Sequence, residues 1–594
     1  MSSNTFLANP KEMEAWIQSL PTANVGETSR RVFKTLVEFN RSELPNIARI
    51  KIAENFRQPI DYIASNLKKY YYDVSFPLSA KNRKIAVLNR ELYAELAIAY
   101  KTFIEVMISG QGGKFDKKLL VIAIHRSLRY LGLVAYQSAI VYDPYPPSIW
   151  YEINRLFGFA EQNRIHQIPV KEGKSRTDTS TINDIYKQLL LFAIISPYRQ
   201  RQREILHIYN MLPAWAEKTQ LGKKSEERSQ DTEFVIQLAD DKPPLHLELM
   251  KESLNVQSRT ISTSDLVTYL RSEFDQLPAE NASNDSMVFG NRTSKHLLRQ
   301  LIQTLSSAPK REYVRTKLNF ELKTAVGLNA IHTFLSRSPE VEHQHQEYSD
   351  DEMSWLGSDS PTGQSLYTHS EQTLSLGGAG ATAIGAETTL TDLEATASST
   401  FNYAQSAPSW ANSPTEGPLE TFVCKTVNES AGGYCIHWNG TNAPRIRVGE
   451  IIGIQSATNS NQFGIGISRW MKNIPGFGLQ LGLEMVSPGS IPITVETNNG
   501  PEAGESAHKG LLLPELKSSG KSASLIVGTM LFKIGDSLLM QTKSGSHHIR
   551  LTRLLESTGA FTQFQFVYKN PTESLRKESE EETDGDFDNI WSML

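Results

Sequence analysis

From residue 32 to residue 218, apolar positions return every three or four residues, as in the series Ile85, Leu88, Leu92, Leu96, Ala99 and Phe103. That spacing lines one face of a helix, and stripes of this kind are buried against one another. It predicts an all-α helical bundle over residues 1–220. The bundle is broken at 110–113, 143–147 and 196–197, where glycine freedom or the missing proline donor stops a helix. The run 119–142 is apolar enough to suggest a membrane span until His125, Arg126 and Arg129 are read inside it. Each is costly at bilayer depth, so the run is expected to be a buried helix with no transmembrane segment.

After a polar gap at 222–230 the texture changes. Residues 231–308 predict a small mixed α/β segment, with a strand at 234–238, a helix capped within 262–265 and running through 270, and a helix at 294–305. Alternation then takes over at 319–326, and again at 422–427, 434–438, 450–454, 463–470 and 479–486, with Gly, Asn, Pro and Ser turns between. Short runs of this kind predict a small antiparallel β-barrel over 309–336 and 418–490. Further strand-like runs within 525–568 are expected to extend that barrel. The stretch between the two halves, 338–416, has acidic residues but no lysine or arginine. It cannot bury enough apolar surface to offset its backbone entropy and is expected to be a long disordered insertion, as is the acidic tail 570–594. The fold class is therefore α+β and multidomain, a helical bundle followed by a C-terminal antiparallel β-barrel.

Composition narrows the function. The 594 residues are 39% hydrophobic and carry 61 basic against 65 acidic side chains, a net charge of −4. That balance lacks the bulk positive field of a protein that binds nucleic-acid polymers, so any anion site must be local. Two cysteines, Cys424 and Cys435, exclude a disulfide scaffold or multi-cysteine zinc cage and are expected to pack as small apolar residues. Lys11, Glu12 and Glu14 interrupt the start of the chain, which does not read as a secretory signal, and a cytoplasmic location is expected. No Walker loop, serine elbow or paired metal carboxylates appear, so no cofactor or metal is expected and the protein is read as non-enzymatic. His343 and His345 fall in the insertion, and His547 and His548 read as a solvated turn.

Two short motifs remain. Arg311 and Arg315 stand four residues apart just before the first barrel strand, and Asn428-Glu429-Ser430-Ala431-Gly432-Gly433 forms an N-x-S-x-x-G between two later strands. Either alone is weak: an Arg pair of the same spacing recurs at Arg199 and Arg203, read as a solvated helix face, and Asn, Ser and Gly are turn residues in any case. In this order, before and within a barrel, they resemble the PilZ domain, a bacterial receptor for cyclic di-GMP. The resemblance implies that Arg311 and Arg315 clamp the ligand from a loop, Asn428 and Ser430 add polar contacts, and Gly433 permits a close backbone approach. Arginine suits such a ligand because it donates paired hydrogen bonds to phosphate or guanine and stacks on a base. More than a hundred residues separate the motifs here, because the insertion interrupts the first two strands; closure over the longer loop is expected to cost about 1.2 kcal/mol. The reading is a cyclic di-GMP receptor that signals to an unknown protein partner through the helical region or the tail; the alternative is a PilZ-like adaptor that binds no nucleotide.

Overall fold

The computed structural model describes residues 9–44, 46–110, 116–173, 179–222, 230–251, 253–277, 293–308, 313–337, 420–438, 443–456, 463–497, 507–516, 520–529 and 531–569. Arg311, the insertion at 338–416, its His343 and His345, and the tail at 570–594 lie outside these residues.

Among the described residues, eight α-helices form the N-terminal region: α1 (Pro10–Gln18), α2 (Val25–Arg41), α3 (Asn46–Lys68), α4 (Ala80–Ile108), α5 (Lys117–Ile140), α6 (Ile149–Gln162), α7 (Ile182–Ile194) and α8 (Gln202–Glu217). Side chains of Asn9, Asn24, Ser79, Asp116 and Thr181 accept the first free N–H groups of their helices, which fixes where each begins. The apolar run at 119–142 becomes α5, long and apolar enough to cross a membrane but packed against α4, α6, α7 and α8. His125 and Arg126 are buried within it at 0% and 3% exposure. Their polarity is met by α3 and by a hairpin, β1 (Val170–Lys171) with β2 (Thr179–Ser180): Arg126 donates to the Lys171 carbonyl of the hairpin at 2.5 Å and to Glu54 of α3 at 3.1 Å.

A four-stranded antiparallel sheet follows, in the order β3 (Gln220–Gly222), β6 (Ser258–Ser262), β4 (Glu233–Gln237), β5 (Leu245–His246), with α9 (Ser264–Gln276) and α10 (Lys295–Ser306) after it. The next elements are β7 (Thr316–Lys317), β8 (Glu321–Val326), α11 (Leu328–Arg337), β9 (Phe422–Ser430), β10 (Gly433–Trp438), β11 (Ile451–Ser456), β12 (Phe463–Ile474) and β13 (Gly478–Ser487). Strands β8, β9, β10, β13, β12 and β11 pair in that order, and β11 returns to β8, closing a six-stranded antiparallel barrel. The short β7 adds to β9 beside β8. Thr324 pairs with Phe422, so β8 and β9 are neighbours in the barrel although α11 and the long insertion separate them in sequence.

The C-terminal strands do not extend this barrel. They close one of their own, in the order β14 (Ile491–Thr497), β15 (His508–Leu513), β16 (Ser524–Val527), β19 (Thr562–Tyr568), β18 (Gly545–Ser557), β17 (Ser537–Thr542). Closure leaves no free edge for the first barrel to pair with, and a separate core of residues such as Val495, Leu525, Met540 and Phe564 fills the interior. Helix α11 lies between the two barrels: Ile331, Phe334 and Leu335 share a buried cluster with Phe463 on one side and with Leu511 and Phe561 on the other.

The bundle is joined to the first barrel as well. Backbone hydrogen bonds link Phe76 with Ile446, at 2.9 and 2.8 Å, and Asn473 donates through its backbone to the Tyr142 carbonyl and through Nδ2 to Asp143, both at 2.8 Å.

Candidate functional site

In a strand, side chains alternate between faces, and the barrel core identifies which is which. Ile436, Trp438, Leu479, Leu481, Leu483 and Met471 are buried in the core, so Cys435, His437, Gln480, Gly482 and Lys472 face outward. Cross-strand pairs then define an outer row running Lys317, Asn428, Cys435, Gly482, Trp470 across five strands. Beside it lies Ser430, Gly433, Glu484. Thr316 pairs with Glu429, and continuing that register brings Arg315 level with Ser430.

Two irregularities set the ends of the row. On β9 the inward residues Cys424 and Thr426 would put Asn428 and Ser430 inside by simple alternation, but the pairing skips Val427 and turns both outward. On β12 the pairing skips Arg469, so Arg469 and Trp470 emerge on the same side. The Trp470 indole lies flat on the sheet: a Cβ at Gly482 would fall 1.8 Å from its Nε1. Glycine is the residue that leaves room for this ring, and the result is an aromatic plane a few strands away from Asn428.

The arginine segment meets the N-x-S-x-x-G hairpin. The Tyr313 ring packs over Gly432, whose added Cβ would lie 3.0 Å from it. Arg315 is exposed and has no ion-pair partner among the described residues. Its charge reaches the Cys435 thiol, which burial pushes up to about 11 while Arg315 pulls it down. Ser430 Oγ donates to the Gly433 carbonyl at 3.2 Å, tightening the turn. Gly433 permits a close backbone approach, but the approach is to β13: a Cβ there would sit 1.9 Å from the Leu483 carbonyl oxygen at φ +154°. Cys424 and Cys435 are free and buried, with Cys424 raised by burial to about 12.

Of the residues named from sequence, Arg315, Asn428, Ser430 and Gly433 thus come together on one outer face, and Arg311 lies outside the described residues. Trp470, Lys317 and Lys472 belong to the same face and carried no recognisable spacing. The face borders both neighbours. Arg469 Nε donates to Glu484 at 2.6 Å, and its Nη2 donates to Glu556 of the second barrel at 3.0 Å. The Lys472 ammonium sits 5.1 Å from the Tyr198 ring of the bundle. Arg199 stands on a 3-10 turn packed against β12 rather than on a helix, while Arg203 of α8 pairs with Asp73. His547 and His548 lie within β18, opposite Met540 and Leu539, rather than in a turn.

One other polar constellation holds the side-chain types of a nucleophilic triad. In the bundle, His125 Nε2 is 2.8 Å from Ser180 Oγ, which donates to Glu172 at 2.5 Å. A nucleophilic triad needs the carboxylate on the opposite imidazole nitrogen, but Glu172 shares Nε2, at 3.3 Å, and Nδ1 faces Arg126. Burial keeps His125 below its ordinary pKa, whereas Glu172, raised by burial but held by His125 and Arg129, stays well below the usual carboxylate range. These groups form a structural ion-pair network. Among the described residues no three His, Cys, Asp or Glu side chains are placed to hold a metal.

Comparison with known proteins follows the same partition. Residues 11–226 match the family described as cyclic-di-GMP receptor FimW, N-terminal domain; 233–492 match its middle PilZ domain; and 494–568 match the FimW C-terminal beta-barrel domain. The cyclic-di-GMP receptor FimW of Pseudomonas aeruginosa is 25% identical over 613 residues, spanning 99% of this chain and 96% of that protein. No solved structure matches. With the motif-bearing barrel inside the matched middle segment and a second barrel where the third model begins, residues 233–492 of this chain hold a PilZ domain, set between a helical region and a C-terminal barrel.

Proposed function

We propose that this protein is a non-enzymatic receptor for cyclic di-GMP, a cytoplasmic effector that passes ligand occupancy to a partner protein. The observation that carries the reading is the convergence of Arg315, Asn428 and Ser430 on one solvent-facing surface, with the Trp470 plane on the same row. The ligand's phosphates and guanine edges take paired hydrogen bonds from arginine, and its bases stack on aromatic planes. Arg311, two residues before Tyr313, is assigned the second guanidinium, and Asn428 and Ser430 the short polar contacts. Gly433 supports the site by allowing the hairpin to close on β13. The relative's printed description as a cyclic-di-GMP receptor supports the same ligand.

Calorimetric titration of the full chain with cyclic di-GMP tests this. Saturable binding, weakened by Arg315→Ala and absent with GMP at the same concentration, is the expected result. No detectable heat at high micromolar ligand overturns it and leaves the nucleotide-free adaptor, a reading that gains from arginines engaged by acids. Arg315 has no such partner among the described residues.

A further inference from the structure

We propose that the helical region holds a second binding site, a lysine-rimmed cleft whose occupant is the chain's own acidic segment 578–594. This inference is independent of the nucleotide reading. The cleft, about 840 Å³, opens between the starts of α1 and α5, the middle of α3 and the β1–β2 hairpin. Its floor holds Arg57 and Arg126, both already committed to Glu54 and Glu172. Those charges are compensated within the fold and offer little to a ligand.

The rim differs. Lys11, Lys51, Lys118 and Lys171 line the cleft, all are exposed, and none has an ion-pair partner among the described residues. One acid, Glu14, stands with them. Between rim and floor run partly exposed apolar side chains, Leu119, Ile122 and Ile168. In a chain of net charge −4, four unmatched cations gathered around one cavity are a local exception to the overall balance. An occupant has to bring negative charge to the rim and apolar groups to the walls. A cavity of this size takes a few side chains, and its concave shape suits a linear segment better than a flat lipid surface.

The segment 578–594 has that composition. Seven acids lie between Glu578 and Asp588, no lysine or arginine follows Lys577, and Ile590, Trp591, Met593 and Leu594 supply apolar anchors immediately afterwards. The insertion carries a similar order, six acids over residues 340–352 before Met353, Trp355 and Leu356, and the denser charge of the tail, seven acids over eleven residues, selects the tail.

Zero-length carbodiimide cross-linking of the full chain, read by mass spectrometry, tests the contact, because it joins a lysine amine to a carboxylate only where the two touch. The Lys101–Glu152 pair, at 2.7 Å, is the internal control. Links from Lys51, Lys118 or their neighbours on the rim to acids 578–588 are expected, with yields falling about tenfold in Lys51→Glu/Lys118→Glu and similarly at high salt. Both substitutions are at exposed positions, so the control link should persist in the variant. The proposal is overturned by control links without rim-to-tail links, by rim-to-tail links whose yield is unchanged in the variant, or by links found only between isotopically distinct copies in a mixed sample.

Discussion

Gly482→Ala probes the receptor reading where the geometry is most specific. An added methyl at 482 would sit 1.8 Å from Trp470 Nε1, 2.3 Å from Cε2 and 2.5 Å from Cδ1. Carbon contacts become favourable near about 3.5 Å, so the indole must lift by roughly 1.7 Å, the difference between 3.5 and 1.8. The obstacle is a surface side chain and not backbone, so the ring swings away and the barrel survives, at about 1 kcal/mol, the low end for overpacking. The aromatic plane is then lost to the ligand. Base stacking is worth about 1–3 kcal/mol, so affinity for cyclic di-GMP should fall roughly five- to 150-fold. Calorimetry reads the affinity and a thermal melt followed by circular dichroism reads the fold. Because both changes act through the same ring, Trp470→Ala should lower affinity similarly, and the double variant should be no weaker than Trp470→Ala alone. Binding within twofold of the parent in Gly482→Ala, with the fold intact, would refute the assignment of Trp470 to the ligand.

Four further outcomes are expected. Arg315→Ala should leave the melting temperature nearly unchanged, since the side chain is exposed and unpaired among the described residues, yet weaken cyclic di-GMP binding by roughly ten- to a hundredfold in the same titration. Gly433→Ala should behave in the opposite way: its Cβ meets a backbone oxygen at 1.9 Å, and urea unfolding should show a loss of about 3 kcal/mol or more. Arg469→Ala strips the bridge to Glu556, which is 15% exposed, and should loosen the contact between barrels by about 1–2 kcal/mol; faster limited proteolysis near residues 487–491 is the readout. In the bundle, acid should be destabilising in two stages. His125 is depressed from 6.5, so the unfolded chain takes up its proton first as pH falls below that value; Glu172 is depressed from 4.5, so the same holds below 4.5. Urea midpoints should therefore decline from pH 7 towards pH 4 and again below it, and a flat profile would contradict the network.

Much of the fold was legible because it is written in repeated patterns. Helical periodicity marked the bundle, and the charges inside 119–142 marked α5 as buried before its partners Glu54, Glu172 and Lys171 were known. The hairpin at 428–433 was legible from its turn residues. The separate C-terminal barrel was not. Its strand β14 opens with a proline at its second residue, and β15 lies inside a run of polar residues, so both look like linker until closure shows that they complete a ring. The outward direction of Asn428 was invisible as well, since alternation from Cys424 and Thr426 points it into the core, and only pairing reveals the skipped residue. Trp470 gave no signal because its meaning depends on Gly482, twelve positions away and one strand over.

The skipped Val427 has a consequence for how this surface tolerates change. Removing that one residue would join Thr426 directly to Asn428, so Thr426 stays inward opposite Ile436, Asn428 stays outward opposite Cys435, and strict alternation returns without turning the motif. The motif's direction is thus set by its partner strand and not by the phase of the residues upstream, and transplanting the hairpin into an unbulged barrel strand requires only that its asparagine follow directly on an inward residue.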